Sequence, residues 1–456
     1  MERAALHGLA AWLVKPGRKP LILRGARQVG KTWLVREAAR RAGLQLIEVN
    51  FERTPLVEKH FGSNDPAAIL AELSLALGQA IDLGHSLLFL DEIQAARGVL
   101  AKLRWFAELM PALPVIAAGS LLDFTLHSSP ASMPVGRVEY LYVEPMSFPE
   151  YLLARGEIAL LDHLRAWRWE GEFSPAAHTR AGDLLMQYMM VGGMPAVVAA
   201  HTTGATPREC RRLQHDLVTT FRDDFARYSS RLDREVLDHC LLAVAAMLGQ
   251  KFVYSRVGGG LKQHQVKQAL QLLLRARVCH LVPYTTASGL PLGGETKDTF
   301  RKAILLDVGL LQALLGTPAA EAFPAWETFS DQVRGQMADQ LAGQQLRIAT
   351  SGEGHDASLF YWQREGGRPG EIDYLIQTQN RIIPIELKSG ASGAMKSLHQ
   401  FMSDKHLNLA VRLDSNPPSL QAMDVRTTQG VAVKYQLVNL PHYLAWNLPQ
   451  LLTSTP

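Results

Sequence analysis

Gly25-Ala26-Arg27-Gln28-Val29-Gly30-Lys31-Thr32 constrains this chain more than any other stretch. A short apolar run, Leu21-Ile22-Leu23, precedes it, and a helix-forming run, Trp33-Leu34-Val35-Arg36-Glu37-Ala38-Ala39, follows. The spacing G-x-x-x-x-G-K-[ST] between a strand and a helix predicts a loop whose backbone N–H groups cradle phosphate oxygens. Gly25 and Gly30 allow the tight turn, Ala26, Arg27, Gln28 and Val29 supply the cradle, and the helix start adds its positive dipole end. Lys31 is then expected to reach the β- and γ-phosphates of ATP, and Thr32 to coordinate Mg²⁺.

A strand–loop–helix unit of this kind belongs to a parallel sheet covered on both faces, whose strands are continuous apolar runs. Gln45–Val49, Leu87–Leu90 and Val115–Ala118 are such runs. The third candidate strand ends in Asp91-Glu92. Apart from the loop, this would read as a strand end in a solvated turn. Beside the loop, Asp91 is expected to hold Mg²⁺, and Glu92 to orient and polarise the attacking water. Ser120, after the fourth strand, either hydrogen-bonds the γ-phosphate or water, or caps the helix that starts at Leu121. Arg137, before the run Val138–Leu141, is expected to be an arginine finger, in the same chain or in a neighbouring subunit. The alternative is a surface arginine at a strand start.

The 456 residues exceed one ordinary core and suggest about three domains. The expected partition is an ATPase core at 1–153, a helical lid segment at 154–250, a winged-helix segment at 251–317 and a mixed α/β domain at 328–456. Pro318–Glu327 reads as a linker. No run of 18 apolar residues exists, so no membrane contact is expected. The first twenty residues lack the pattern of a signal peptide. Cys210, Cys240 and Cys279 suit reduced, buried thiols, so a cytoplasmic location is expected. A net charge of +4 permits nucleic-acid contact without arguing for it.

"LRGARQVGKTWLV", "LLFLDEIQ", "AAGSLL" and "GRVEYLYVEPMSFPEYL", in this order, resemble prokaryotic AAA+-type ATPases whose C-terminal half is a domain of unknown function. The resemblance runs over almost the whole chain. It implies an α/β fold in three parts: an AAA+-like parallel-sheet P-loop domain, a helical and winged-helix segment, and a mixed α/β domain resembling restriction-endonuclease-like nucleases. Val191–Val198, "VGGMPAVV", matches the family's Gly-Gly-x-Pro segment, which the resemblance brings towards the nucleotide. Trp33 stands where relatives usually carry a small residue.

In the middle segment, Val266, Leu270, Leu273 and Leu274 repeat at helical spacing, with Lys262, His264, Lys267 and Arg275 outside that stripe. Such a face suits a helix in a DNA groove, and equally a solvated outer face. Arg222, Asp223 and Asp224 are read as an interdomain contact.

Near the C-terminus, Asp373 lies on one candidate strand and Glu386-Leu387-Lys388 end the next, joined by a short turn. Hairpin pairing brings Asp373 near Glu386 on one face. This is the pattern in which two carboxylates hold Mg²⁺ and a lysine activates water, the carbonyl of Leu387 completing the shell. The resemblance adds Asp339 as a further ligand, where relatives usually carry glutamate. Cross-strand charge pairs on a solvated hairpin are the alternative. The function expected is therefore Mg²⁺-dependent ATP binding and hydrolysis, driving the attached domains to act on nucleic acid, DNA being one candidate, or a protein partner, with a homo-oligomer if Arg137 works in trans. An ATP-gated metal-dependent nuclease and a non-enzymatic nucleotide switch are the alternatives.

Overall fold

Alternation along each N-terminal strand sends neighbouring side chains into opposite apolar layers. Leu21 and Leu23 pack with Leu87, Phe89, Ile116 and the helix residues Leu34 and Val35; Ile22 packs with Leu88, Leu90 and Val115 on the other face. These strands are β1 (Leu21–Arg24), β2 (Gln45–Asn50), β3 (Ser86–Asp91), β4 (Val115–Ala118) and β5 (Glu139–Tyr142). In this computed structural model they form a wholly parallel sheet in the order β2-β3-β4-β1-β5. The structure describes all residues except 1, 120–121, 123–135, 229–231, 319, 352–353, 366–369, 379, 392 and 454–456, and only the backbone of 225–228 and 298–299. The strand order puts β4 between the strand before the phosphate loop and the strand ending in Asp91, so these ends meet at one edge of the sheet.

Residues after β5 are helical as expected: Phe148–Ala154, Ile158–Ala166, Pro175–Val191, Pro195–Thr202, Pro207–Tyr228 and Arg234–Ala246. Four of them begin with proline at the first or second turn position, where its missing N–H costs nothing, and Ser147 closes a capping box with Glu150. The helix Gln263–Arg275 and the antiparallel pair β6 (Cys279–Thr285) and β7 (Thr296–Leu305) follow, in the helix-then-hairpin order read from the sequence.

The last part holds β8 (Phe360–Gln363), β9 (Glu371–Thr378), β10 (Arg381–Leu387), β11 (Leu409–Asp414), β12 (Ser419–Arg426) and β13 (Ala432–Pro441). Together with β6 and β7 they form one eight-stranded mixed sheet, β12-β13-β11-β10-β9-β8-β6-β7. Tyr284 of β6 pairs in parallel with Tyr361 of β8. The 251–317 and 328–456 regions are therefore joined by strand pairing across the linker.

A long helix spans Asp331–Thr350. It buries Gln340, Gln344, Gln345 and Arg347, which bond groups of neighbouring segments instead of water. Gln340 bridges the backbone N–H and C=O of Leu305 at 2.8 Å each, and Gln345 accepts from the Phe148 N–H at 3.2 Å. Among the described residues no helix is long and apolar enough to cross a membrane.

Candidate functional site

The phosphate loop closes as its glycines predict. Gly30 has φ +94°, a left-handed conformation that lets the helix Lys31–Ala42 start directly after the turn. Gln28 is left-handed as well, at φ +65°. Lys31 is buried and folds back on the loop, its Nζ donating to the carbonyls of Gly25 (2.9 Å) and Ala26 (2.8 Å). Trp33 is half-buried against the core and sits past the loop, leaving Lys31 and Thr32 in place.

Thr32 Oγ1 donates to Asp91 Oδ2 at 3.2 Å, and Asn50 Nδ2 donates to the same oxygen at 3.1 Å. Burial pushes the Asp91 carboxyl above its usual range, and neighbouring Glu92 adds to the rise. A hydroxyl and a carboxylate side by side, with surplus negative charge, are a donor set that fits Mg²⁺. Glu92 has a left-handed backbone, φ +51°, and its Oε2 accepts from Gln94 Nε2 at 2.7 Å. Sequence reasoning missed Asn50 and Gln94; the signal that marks them is their position, at the end of β2 and in the short turn Ile93–Ala95 after β3.

Ser120 lies outside the described residues. Arg137 is described, and its place corrects one expectation. It precedes β5, whose first residue, Glu139, pairs with Leu21 at the start of β1. The phosphate loop leaves the other end of β1, so Arg137 is on the wrong edge of the sheet to serve as a finger in its own chain. Its Nε donates to Glu108 Oε1 at 2.7 Å on a half-exposed surface.

Three contacts tie the loop to the rest of the molecule. Arg27 Nη1 pairs with Asp224 Oδ1 of the helix Pro207–Tyr228 at 2.6 Å, so part of the acidic turn is an interdomain contact. Arg3 is buried and donates to the carbonyls of Val29 (2.9 Å) and Glu144 (2.7 Å) and to Glu150 Oε1 (2.9 Å). The Gly-Gly-x-Pro segment comes close to the loop, Pro195 lying beside Gly30. A Cβ on Gly193 would lie 2.1 Å from the Met146 carbonyl oxygen, which explains why the segment needs glycine there.

The second candidate site lies on β9, β10 and the helix Asp331–Thr350. Tyr374 pairs with Ile385, and the Leu387 N–H donates to Asp373 Oδ2 at 2.8 Å, so Asp373 stands beside Glu386 as the hairpin pattern predicts. Asp339, Asp373 and Leu387 line a cavity of about 290 Å³. A larger one, about 720 Å³, adjoins it at Asp331, Ala338 and Ser389. Tyr374 donates to Asp339 Oδ1 at 2.6 Å, and burial pushes Asp339 up to about 6 against the pull of Lys302. Glu386 is pushed up to about 7 by burial and by Asp373, and its Oε1 accepts from Lys388 Nζ at 2.7 Å.

Sequence reasoning missed Lys302 of β7. Its ammonium is almost fully buried, ion-paired with Glu371 and 3.8 Å from Asp373 Oδ1. Burial opposes its charge, but Asp339, Glu371 and Asp373 outweigh burial and hold its pKa above the ordinary lysine value. Among the described residues no group of three or more His, Cys, Asp or Glu is gathered to hold a metal ion. The expected set of Asp339, Asp373 and Glu386 is thus not gathered into one metal shell. Asp373 stands beside Glu386, which is bonded to Lys388, and shares a cavity with Asp339. A divalent cation at Asp373 would meet the ammonium already there, so the residues present do not fit Mg²⁺.

Residues 17–152 match a family model described as an AAA domain. Residues 182–321 and 334–424 match two models each described as a domain of unknown function, DUF8612 and DUF4143. No curated protein matches the chain. Among solved structures, a Walker-type ATPase of Pyrococcus abyssi is 15% identical and covers 69% of this chain and 95% of its own, with a TM-score of 0.43. The ORC1 protein of Aeropyrum pernix, in complex with DNA, is 15% identical over 69% of this chain and 91% of its own, with a TM-score of 0.28. The ORC2 protein of Aeropyrum pernix, in ADPNP–ADP complexes, is 13% identical over 69% and 93%, with a TM-score of 0.34. These structural overlaps are loose, and the AAA match together with the loop geometry carries the conclusion: residues 17–152 of this chain are similar to an AAA-type ATPase domain.

Proposed function

We propose that the chain is a Mg²⁺-dependent ATPase whose nucleotide state is relayed to its C-terminal sheet, where a nucleic acid or a protein partner responds. The observation that carries the reading is the Thr32–Asp91 contact at 3.2 Å, directly beside the turn that holds Lys31 and next to Glu92. Mg²⁺, when held by Thr32 and Asp91, would draw off the charge that develops on the phosphate. The loop N–H groups orient the phosphates. Lys31 exchanges the carbonyls of Gly25 and Ala26 for phosphate oxygens. Glu92, once released by Gln94, accepts a hydrogen bond from the attacking water and polarises it.

The relay reading is supported by a chain of polar contacts. Arg3 links the Val29 carbonyl of the loop to the backbone of Glu144. The Glu144 side chain pairs with Arg277 at 2.7 Å and Arg347 at 3.0 Å, and both arginines reach Asp356. Arg347 shares its helix with Asp339, so this helix joins the Glu144 cluster to the C-terminal cavity. Lys302 weighs against the metal-dependent nuclease alternative. An arginine finger in trans remains compatible with the exposed Arg137 and would require a homo-oligomer.

The test is ATP turnover by purified Lys31→Ala. Loss of at least about 100-fold, with the fold intact by circular dichroism, is expected, since one charge clamp on a transferring phosphoryl group contributes that much. Unchanged turnover removes the reading.

A further inference from the structure

A lysine ammonium enters a protein interior only where carboxylates repay its lost hydration. Lys302 meets that condition from a different part of the chain than its partners. It projects from β7, in the hairpin with β6, while Glu371 and Asp373 point to one face of β9 as residues i and i+2. Asp339 comes from the helix Asp331–Thr350 and reaches the same cavity as Asp373. The ammonium also lies 5.3 Å from the centroid of the Tyr361 ring, whose face favours a cation. Lys302 is therefore ion-paired with Glu371, close to Asp373 and faced by an aromatic ring, with its ammonium almost fully buried.

We propose that Lys302 is the resident cation of the C-terminal acidic pocket, seated where a divalent metal would otherwise bind, so that this domain works without a metal. The ammonium has one charge and three hydrogen-bond donors, and it is covalently fixed to β7. It neutralises the carboxylates without offering an open coordination position to water or to a phosphodiester. The pocket then cannot generate a metal-bound nucleophile, and its role is to lock β7, β9 and the helix Asp331–Thr350 together. Removing Lys302 should leave Glu371 and Asp373 as uncompensated oxygen donors of the kind hard divalent cations take.

The experiment is Mn²⁺ titration of the nucleotide-free full-length protein, followed by the paramagnetic resonance of free Mn²⁺. Wild type and Asp373→Asn should titrate alike. Lys302→Met should bind about one additional Mn²⁺ per chain, as expected for an oxygen-donor site of this kind, and Lys302→Met/Asp373→Asn should lose it again. Wild-type binding that Asp373→Asn abolishes overturns the proposal, and that comparison needs no Lys302 variant. A folded Lys302→Met that gains no Mn²⁺ overturns it as well. Either failure leaves the ATPase reading untouched, because that reading is tested by turnover at Lys31.

Discussion

Arg27 of the phosphate loop and Asp224 of the helix Pro207–Tyr228 are joined by an ion pair at 2.6 Å, with the carboxylate largely buried. An incoming polyphosphate must compete with Asp224 for this guanidinium. Asp224→Ala is therefore expected to tighten ATP binding about three- to tenfold, the effect of removing one nearby like charge at the effective dielectric of a protein surface. Titration with a fluorescent nucleotide checks this, and the gain should shrink as salt rises. Weaker binding in Asp224→Ala would show that the helix organises the loop rather than opposing phosphate.

Gln94 and Glu92 make opposite predictions. Glu92→Gln keeps the side-chain shape and loses the carboxylate, so steady-state phosphate release should fall by about 100-fold or more while nucleotide binding persists. Gln94→Ala frees the Glu92 carboxylate from its 2.7 Å hydrogen bond. Turnover should then rise about twofold to tenfold, the range set by a hydrogen bond that contributes about 1 kcal/mol. A fall matching that of Glu92→Gln would mean that Gln94 positions Glu92 instead of restraining it.

Glu144 sets an acid limit on the contact between the N-terminal and C-terminal parts. Burial alone would raise its pKa, but Arg347 and then Arg277 outweigh burial and hold it at about 2, below the ordinary 4.5. A carboxylate with a depressed folded pKa contributes stability that is full above its unfolded value and is lost as pH falls through the folded value. Glu144→Gln leaves two buried guanidinium groups short of one partner, and at neutral pH it should cost about 3–5 kcal/mol in urea denaturation. The gap between wild type and variant should narrow below about pH 4.5 and close towards pH 2. A gap independent of pH would place the effect in packing.

The parts of this protein written in local spacing were the legible ones. Loop, helix start and Asp91-Glu92 sit within single stretches whose residue types fix backbone and ligands together. The β9–β10 hairpin likewise placed Asp373 beside Glu386. Lys302 was not legible, because "FRKAILL" is an ordinary strand until β7 packs beside β9 and the helix Asp331–Thr350. The buried face of that helix was not legible because its glutamines and arginine look solvated in sequence, and only β7 and Phe148 show what they bond. Whether Arg137 could act in its own chain was not legible for a related reason: strand adjacency in sequence does not say which edge of the sheet a residue reaches.

Arg3 is the last residue whose role only the fold exposes. Its planar guanidinium meets three acceptors at once: the Val29 carbonyl, the Glu144 carbonyl and Glu150 Oε1. The same Glu150 carboxylate accepts from the Ala4 and Ser147 N–H groups, so the clamp is braced from both sides. Arg3→Ala should remove the Arg3 hydrogen bond to the Val29 carbonyl and loosen the loop, raising the dissociation constant for ATP roughly tenfold or more, in keeping with about 1.5–3 kcal/mol for one charged hydrogen bond. Arg3→Lys should not rescue binding, because a single ammonium cannot span the three directions that a guanidinium fork serves. Nucleotide titration of both variants, with melting temperature recorded alongside, is the check. Full rescue by lysine would reduce Arg3 to a simple charge partner of Glu150 and remove the loop clamp.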